Sequence, residues 1–377
     1  VWRKLLKNFF TSHIRKQKSK MEVAALHKST FTRNIVLSGL ALLMLSLFIF
    51  SLSIGAVPIT VHEIVRIFLS KIGLGTEQAT DVQSLVLLNI RLPRILFTVL
   101  IGGALGIAGA SLQGLFRNPL VEPGIIGVSS GAALGAVLVI IGGKFIGIPL
   151  LISEGLGQWM LPLFAFIGGV AATVVTLKLG RYEGRTQITI LILAGVAITS
   201  LVGAAIGLSI FYADEQQLRS YSFWTLGDLS GATWNKVMLL TPVVLLPVIG
   251  LSAMAKPLNA LALGEAEAFH SGVNVERIKM LTVLLCAMAV GTSVAFAGII
   301  GFVGLVVPHI IRISFSPDHE IVLPASALGG ACLLLIADMV GRTVVAPAEL
   351  PIGIITAVLG TPFFLYLLMS TKKKRMF

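Results

Sequence analysis

The stretch from Arg91 to Gly135 reads RLPRILFTVLIGGALGIAGASLQGLFRNPLVEPGIIGVSSGAALG. Two apolar, glycine-rich runs flank a polar hinge, Arg117-Asn118-Pro119. Neither run has the polar face that a helix in water needs. Small residues recur every fourth position, at Gly102, Gly106 and Ala110 and again at Gly127, Gly131 and Gly135. In lipid that spacing lets helix backbones approach closely, where packing rather than water exclusion drives association. Other apolar runs reach the ~20 residues that carry a helix across a bilayer. The chain is 56% hydrophobic and 12% charged, against about 25% charged in a soluble domain. The sequence therefore predicts an all-α polytopic membrane protein and leaves no polar stretch for a soluble catalytic domain.

The same length rule gives about ten transmembrane helices. They run over 35–57, 92–114, 119–142, 159–179, 187–211, 234–255, 278–298, 302–314, 321–341 and 350–370. Residues 58–87 fall outside, with an amphipathic interfacial helix near Val61–Ile72. Residues 212–233 also fall outside and hold a short apolar piece near Tyr221–Leu229. The net charge of +12 comes from basic helix ends rather than from a nucleic-acid surface. One cluster holds Arg3, Lys4, Lys7, Arg15, Lys16, Lys18, Lys20, Lys28 and Arg33, and the tail ends Lys372-Lys373-Lys374-Arg375. By the positive-inside rule both termini are cytoplasmic, which requires an even number of crossings. Arg117, Lys178, Arg181, Arg185, Lys256, Arg277, Lys279 and Arg312 fall on the same side, so most of the 29 Lys and Arg lie inside.

The expected organisation is a basic cytoplasmic segment at 1–34, a transmembrane domain at 35–370 with a cytoplasmic segment at 256–277, and a basic tail at 371–377. The first apolar run is too long for a signal-peptide core and reads as a retained helix. Val1 and Met21 remain alternative starts. The second and third helices share a pattern with the seventh and eighth: LQGLFRNPLVEPGIIG beside FAGIIGFVGLVVPHII. An offset of five helices would invert one copy relative to the other in the membrane.

Several residues stand out chemically. The fifth helix carries Gly195, Thr199, Gly203 and Gly207 four apart. These either pack within the chain or line a pathway, and the Thr199 hydroxyl can bond back along its helix or across to another. The segment from Leu258 to Gly272 is too polar to cross and too patterned for a plain connector. Gly264 permits a tight turn. Glu265 and Glu267 suit the first turn of a short helix, and Gly272 suits its C-terminal end. Arg91, Arg94 and Arg342 sit at outer helix ends, as interfacial anchors or as a docking surface. Thr186 and Gln187 close the polar loop 180–188. Glu122 and Asp338 are carboxylates away from mid-membrane, read as structural. His309 is read as structural in preference to a haem ligand, and Cys286 and Cys332 as packing residues.

These residues also carry a family resemblance. RLPR at 91–94, GLFRNPLVEPGIIGVSSGAALG at 114–135, LILAGVAI at 191–198 and SFWTLGDLSGATW at 222–234 resemble the permease subunits of type II ABC importers. LALGE at 261–265, AGIIGFVGLVVPHIIR at 297–312 and ELPIGIITAVLGTPFF at 349–364 continue the likeness in order and spacing over about 35–370. These proteins import iron-siderophore complexes, haem and cobalamin. The resemblance implies a homodimer in the bacterial inner membrane, two ATP-binding ATPase subunits and a periplasmic substrate-binding protein. It implies that Leu261, Leu263, Gly264, Glu265 and Ala266 belong to a coupling element seated in a groove of the ATPase. It assigns Arg91, Arg94 and Arg342 to binding-protein docking, and Gly195, Thr199, Gly203, Thr186 and Gln187 to the pathway and its gate.

The stretches EGRTQITILILAGVAI and FYADEQQLRSYSFWTLGDLSGATW are most similar to haem permeases. Haem is a large, flat, amphipathic dianion that suits an apolar, small-residue path. Iron-siderophores and cobalamin would suit it too. No G-x-x-x-x-G-K-[ST] phosphate loop is present, so ATP and magnesium are expected on a partner subunit and no cofactor on this chain. There is no HExxH and no nucleophile–base pair. An ion-coupled secondary transporter is the competing class. It would need buried coupling carboxylates and has no use for the segment at 258–272.

Overall fold

The computed structural model describes residues 31–55, 57–73, 81–144 and 157–375. The basic cluster up to Lys28, and Met21 with it, lie outside the described residues. Among those residues, seven helices are long and apolar enough to cross a membrane. The first is α1, Phe31–Ser53. A continuous rod, Val82–Leu115, is the second. It is built from α3 (Asp81–Leu85), a π-helical turn at Val86–Arg91 and α4 (Leu92–Leu115). The others are α6 (Gly157–Leu179), α7 (Ile188–Phe211), α9 (Trp234–Ala253), α12 (Val275–Ala297) and α14 (His319–Thr343). Shorter apolar helices are α5 (Val128–Ile140), α13 (Val303–Ser314) and the apolar part of α15 (Ile352–Arg375). Nine of the ten expected spans coincide with one of these to within about four residues; the third, expected from 119, begins as α5 only at Val128, after a short helical turn at Pro123–Ile126.

Between the spans, α2 (Val61–Lys71) is the amphipathic helix expected there. Ile64 and Ile67 point inward, while Val61, Val65, Phe68 and Leu69 are exposed. Thr60 opens it with a capping box: its backbone N–H donates to Glu63, and the Glu63 backbone N–H donates to the Thr60 hydroxyl. The Thr60 N–H bond holds the Glu63 carboxyl below its usual range. The apolar piece near Tyr221 is α8, Glu215–Leu226, capped by Asp214. A two-residue hairpin, β1 (Arg181–Tyr182) with β2 (Arg185–Thr186), joins α6 to α7 and pairs Arg181 with Thr186. On the same end, α10 (Ala255–Leu263) and α11 (Glu265–His270) link α9 to α12.

The bundle is built around α4, which packs against α14, α12, α9 and α13. Close approach sets this arrangement. A Cβ added at Gly106 would collide with the Ser326 carbonyl of α14, and one at Gly109 with the Gly304 carbonyl of α13. At Gly102 it would stand 2.5 Å from the Gly330 carbonyl. The same device joins α5 to α6, where Gly131 and Gly135 meet the Gly168 and Phe164 carbonyls. Backbones this close gain dispersion contacts that larger side chains would forbid.

Packing pairs recur with an offset of five spans. α4 with α14 corresponds to α12 with α6, α5 with α6 to α13 with α14, and α5 with α7 to α13 with α15. This is the pattern of an inverted repeat. Burial is uneven: 78% of the most apolar window of the Val82–Leu115 rod lies inside, against 22% for α7 and 17% for α1.

Replacing Gly109 by alanine should lower thermal stability in detergent by about 1–3 kcal/mol, the range of core overpacking. Gly203→Ala, where nothing lies within 4 Å of the added Cβ, should stay within about 0.5 kcal/mol. Paired melting curves of the two variants check this.

Candidate functional site

The segment singled out at 256–277 folds as a helix–turn–helix. Gly264 carries φ 148° and ψ 149°, a conformation that side-chain-bearing residues avoid, and it breaks α10 from α11. Glu265 and Glu267 occupy the first turn of α11, and Gly272, at φ 84°, follows its C-cap. Leu261 is buried, whereas Ala266 is exposed and Leu263 and Phe269 are 80% and 70% exposed. Apolar knobs on a segment too polar to lie in lipid mark a contact surface. Lys279, one turn into α12, ties the segment down. Its ammonium lies 2.8 Å from Glu265 Oε2 and donates to the Thr186 carbonyl at 2.9 Å.

Thr186 is buried at the end of β2, and Gln187 is the exposed N-cap of α7. The small-residue ladder of α7 divides in two. Gly195 abuts the Ile125 carbonyl, where a Cβ would collide. That position packs within the chain. Thr199 is exposed, its hydroxyl 3.2 Å from Ser130 Oγ on α5, so the expected bond runs across to a neighbouring helix. Gly203 and Gly207 face open space.

Arg91, Arg94 and Arg342 lie at the other end of the bundle. The last residues of α12, Ala295–Ala297, line a cavity of about 620 Å³ there with Arg94, Trp224, Lys236 and Glu349. With a 1.5 Å rise per residue, α12 separates this end from Lys279 by about 25 Å. All three are buried, 4%, 9% and 8% exposed, and their guanidinium groups are engaged within the chain. Arg91 donates to the Leu52 carbonyl at 2.8 Å, to that of Ser53 at 3.3 Å and to that of Val57. Arg342 donates to the Ser51 and Ile54 carbonyls at 3.3 and 3.1 Å and to the Ser51 hydroxyl at 2.6 Å. Together they cap the carbonyls at the C-terminus of α1, where cations also suit the helix dipole. Arg94 pairs with Asp338 at 2.8 Å and Glu349 at 2.9 Å, and Arg342 Nε stands 3.2 Å from Asp338 Oδ2. Asp338 is structural, as expected. Glu122 is too: it accepts from the Phe302 backbone N–H at 3.4 Å.

Two features escaped sequence reasoning. One is Lys279 itself, which reads as one more basic helix end. The other is a polar chain beneath α10. The Asn259 side-chain carbonyl accepts from the His319 backbone N–H at 2.9 Å and lies 2.7 Å from His319 Nδ1. Arg312 donates to Gln113 at 2.6 Å and to the Ala110 carbonyl at 3.0 Å, and Gln113 donates to the Gly304 and Leu305 carbonyls. Partners 60 to 200 residues apart leave no local signal. No cluster of three His, Cys, Asp or Glu able to hold a metal occurs among the described residues.

The chain is thus a multi-pass helical bundle with glycine-mediated packing. Residues 42–370 match the FecCD transport family, and the chain belongs to it. It is a permease, a transport component rather than an enzyme. Among its relatives is the hemin transport system permease protein HmuU of Yersinia pestis, 40% identical over 341 residues, covering 90% of this chain and 97% of that protein. The vitamin B12 import system permease protein BtuC of Salmonella paratyphi A is 40% identical over 287 residues, covering 76% and 84%. A solved metal-chelate type ABC transporter in an inward-facing conformation superposes with TM-score 0.77 at 32% identity, covering 89% of this chain and 99% of that one.

Removing the shared carboxylate in Asp338→Ala takes the ion pair from Arg342 and one of two from Arg94, both buried, and should cost about 3–5 kcal/mol of stability. Glu349→Gln, at a side chain 42% exposed, should cost under about 1 kcal/mol. Thermal unfolding of both variants in detergent measures the contrast.

Proposed function

We propose that this chain is the membrane-spanning half of an ATP-driven importer that carries haem, or a closely similar iron complex, inward across the bacterial inner membrane by alternating access. The observation that carries the reading is the pairing of two features on one chain. The helix–turn–helix at 255–270 presents Leu263 and Phe269 to a partner. The adjoining α7 leaves Thr199, Gly203 and Gly207 open. Two copies facing each other across this side of α7 would enclose a path with small walls, suited to a bulky, poorly hydrated cargo. Each copy would seat its α11 on one ATP-binding subunit, which supplies ATP and magnesium; Leu261, Leu263, Gly264, Glu265 and Ala266 form the seat. A substrate-binding protein would deliver cargo at the arginine end, reading backbone and rim groups such as Glu349 rather than the buried guanidinium groups. Thr186 and Gln187 would frame the cytoplasmic mouth. The likeness to HmuU over nearly the whole chain supports haem as cargo.

The test is uptake into proteoliposomes holding the permease with its ATPase, with binding protein and haem, an iron-siderophore or cobalamin supplied in turn. ATP-dependent uptake of haem alone is expected. Uptake of cobalamin or a siderophore instead would replace the cargo, and uptake on an ion gradient without ATP would overturn the importer reading. Deleting Gly264–Glu265 should abolish ATP-dependent uptake while the permease still accumulates in the membrane. A deletion that transports normally would contradict the role of the segment.

A further inference from the structure

Three elements that the transport reading uses converge on one side chain. Lys279 is 5% exposed at its side chain. It bonds Glu265 on α11 at 2.8 Å and the Thr186 carbonyl at 2.9 Å. Glu276, one turn earlier on α12, accepts from the Thr186 backbone N–H at 2.9 Å and from the Thr186 hydroxyl. Arg181 Nε of β1 stands 4.0 Å from the same carboxylate. Thr186 is therefore gripped through its N–H, its hydroxyl and its carbonyl, and α7 begins two residues later.

A buried ammonium is costly unless paired, and an aliphatic side chain would fill the same space without that cost. What the lysine adds is a connection. Among the described residues no hydrogen bond joins α11 directly to the hairpin. A cavity of about 780 Å³ opens beside them, bounded by Arg185, Glu265, Phe269, Glu276 and Lys279. Gly264 leaves α11 attached to α10 through a turn rather than a continuous helix.

We propose that Lys279 is a positioning residue for transport: it makes a displacement of α11 move the start of α7, so that force applied at the coupling segment reaches the helix with the open small-residue face. The proposal rests on the importer reading above and deepens it. It needs no change in the ion pair itself, only that the Glu265–Lys279–Thr186 connection stays closed while α11 moves. A network of this kind carries coupling without touching either ligand.

The experiment uses the full complex in proteoliposomes with haem-loaded binding protein, reading ATP hydrolysis and haem uptake from the same vesicles. Lys279→Met removes both bonds. It should leave hydrolysis within about twofold and lower uptake about tenfold, within the range of coupling lost along such networks. Lys279→Arg, which can still donate to both partners, should keep uptake near wild type. Glu276→Ala alters a side chain about a third exposed, outside the proposed ATPase seat, and removes two of the bonds that hold Thr186. It should also lower uptake while hydrolysis persists, and it decides alone if Lys279→Met does not assemble. Variants that keep both activities overturn the proposal, as does a loss of hydrolysis and uptake in parallel. A wild-type complex that moves no cargo on ATP overturns the importer reading and this proposal together, whereas a working wild type with unaffected variants overturns the connection alone.

Discussion

The approach of α4 to α14 and α13 is the constraint on which the rest of the structure depends. At Gly102, Gly106 and Gly109 the neighbouring backbone stands where a side chain would be. In hydrocarbon no water drives helices together, so the contact must come from dispersion between backbones that meet without obstruction. That contact fixes α4 at the centre, and charged and polar side chains hold its two ends. At one end Arg94 reaches Asp338 of α14, and Arg91 reaches the carbonyls of α1. At the other, Gln113 binds the Gly304 and Leu305 carbonyls and receives Arg312. A stiff centre held at both ends leaves α7 as the sparsely packed element among the helices next to the coupling segment.

That division explains how a chain without catalytic groups can do mechanical work. Transport by alternating access needs a part that stays and a part that moves. The α4–α14 contact is poorly suited to sliding, because its carbonyls sit in glycine-sized notches. α7 is held near its start by Thr186 and at Gly195 against Ile125, while Gly203 and Gly207 further along meet nothing.

Much of this was legible in the sequence. The ten spans were, because apolar length is a one-dimensional property and hydrocarbon thickness sets it. The turn at Gly264, the acidic first turn of α11 and the amphipathic α2 were legible because caps and stripes are local. The partners of the arginines were not legible, for the opposite reason. An outward helix end near Arg91 or Arg342 looks like a docking surface until the C-terminus of α1, 39 and 288 residues away, is seen to need its carbonyls satisfied. Gly195 and Gly203 are indistinguishable as letters eight apart on one ladder; only the position of Ile125 separates packing from open face. Lys279 was hidden among other basic helix ends, since nothing local shows that its ammonium is buried between two partners from other elements.

On this reading the open side of α7 meets its counterpart in a second copy rather than lipid. It is tested most directly by single cysteines at Gly203 and, as a lipid-facing control, at Leu45, each in a chain with Cys286 and Cys332 replaced by serine and treated in native membranes with a short bifunctional thiol reagent. The account predicts covalent dimers through position 203, with a yield that changes when ATP is supplied to the assembled complex, and none through position 45. Equal cross-linking at the two positions, or lipid-probe labelling at 203 matching that at 45, would contradict it.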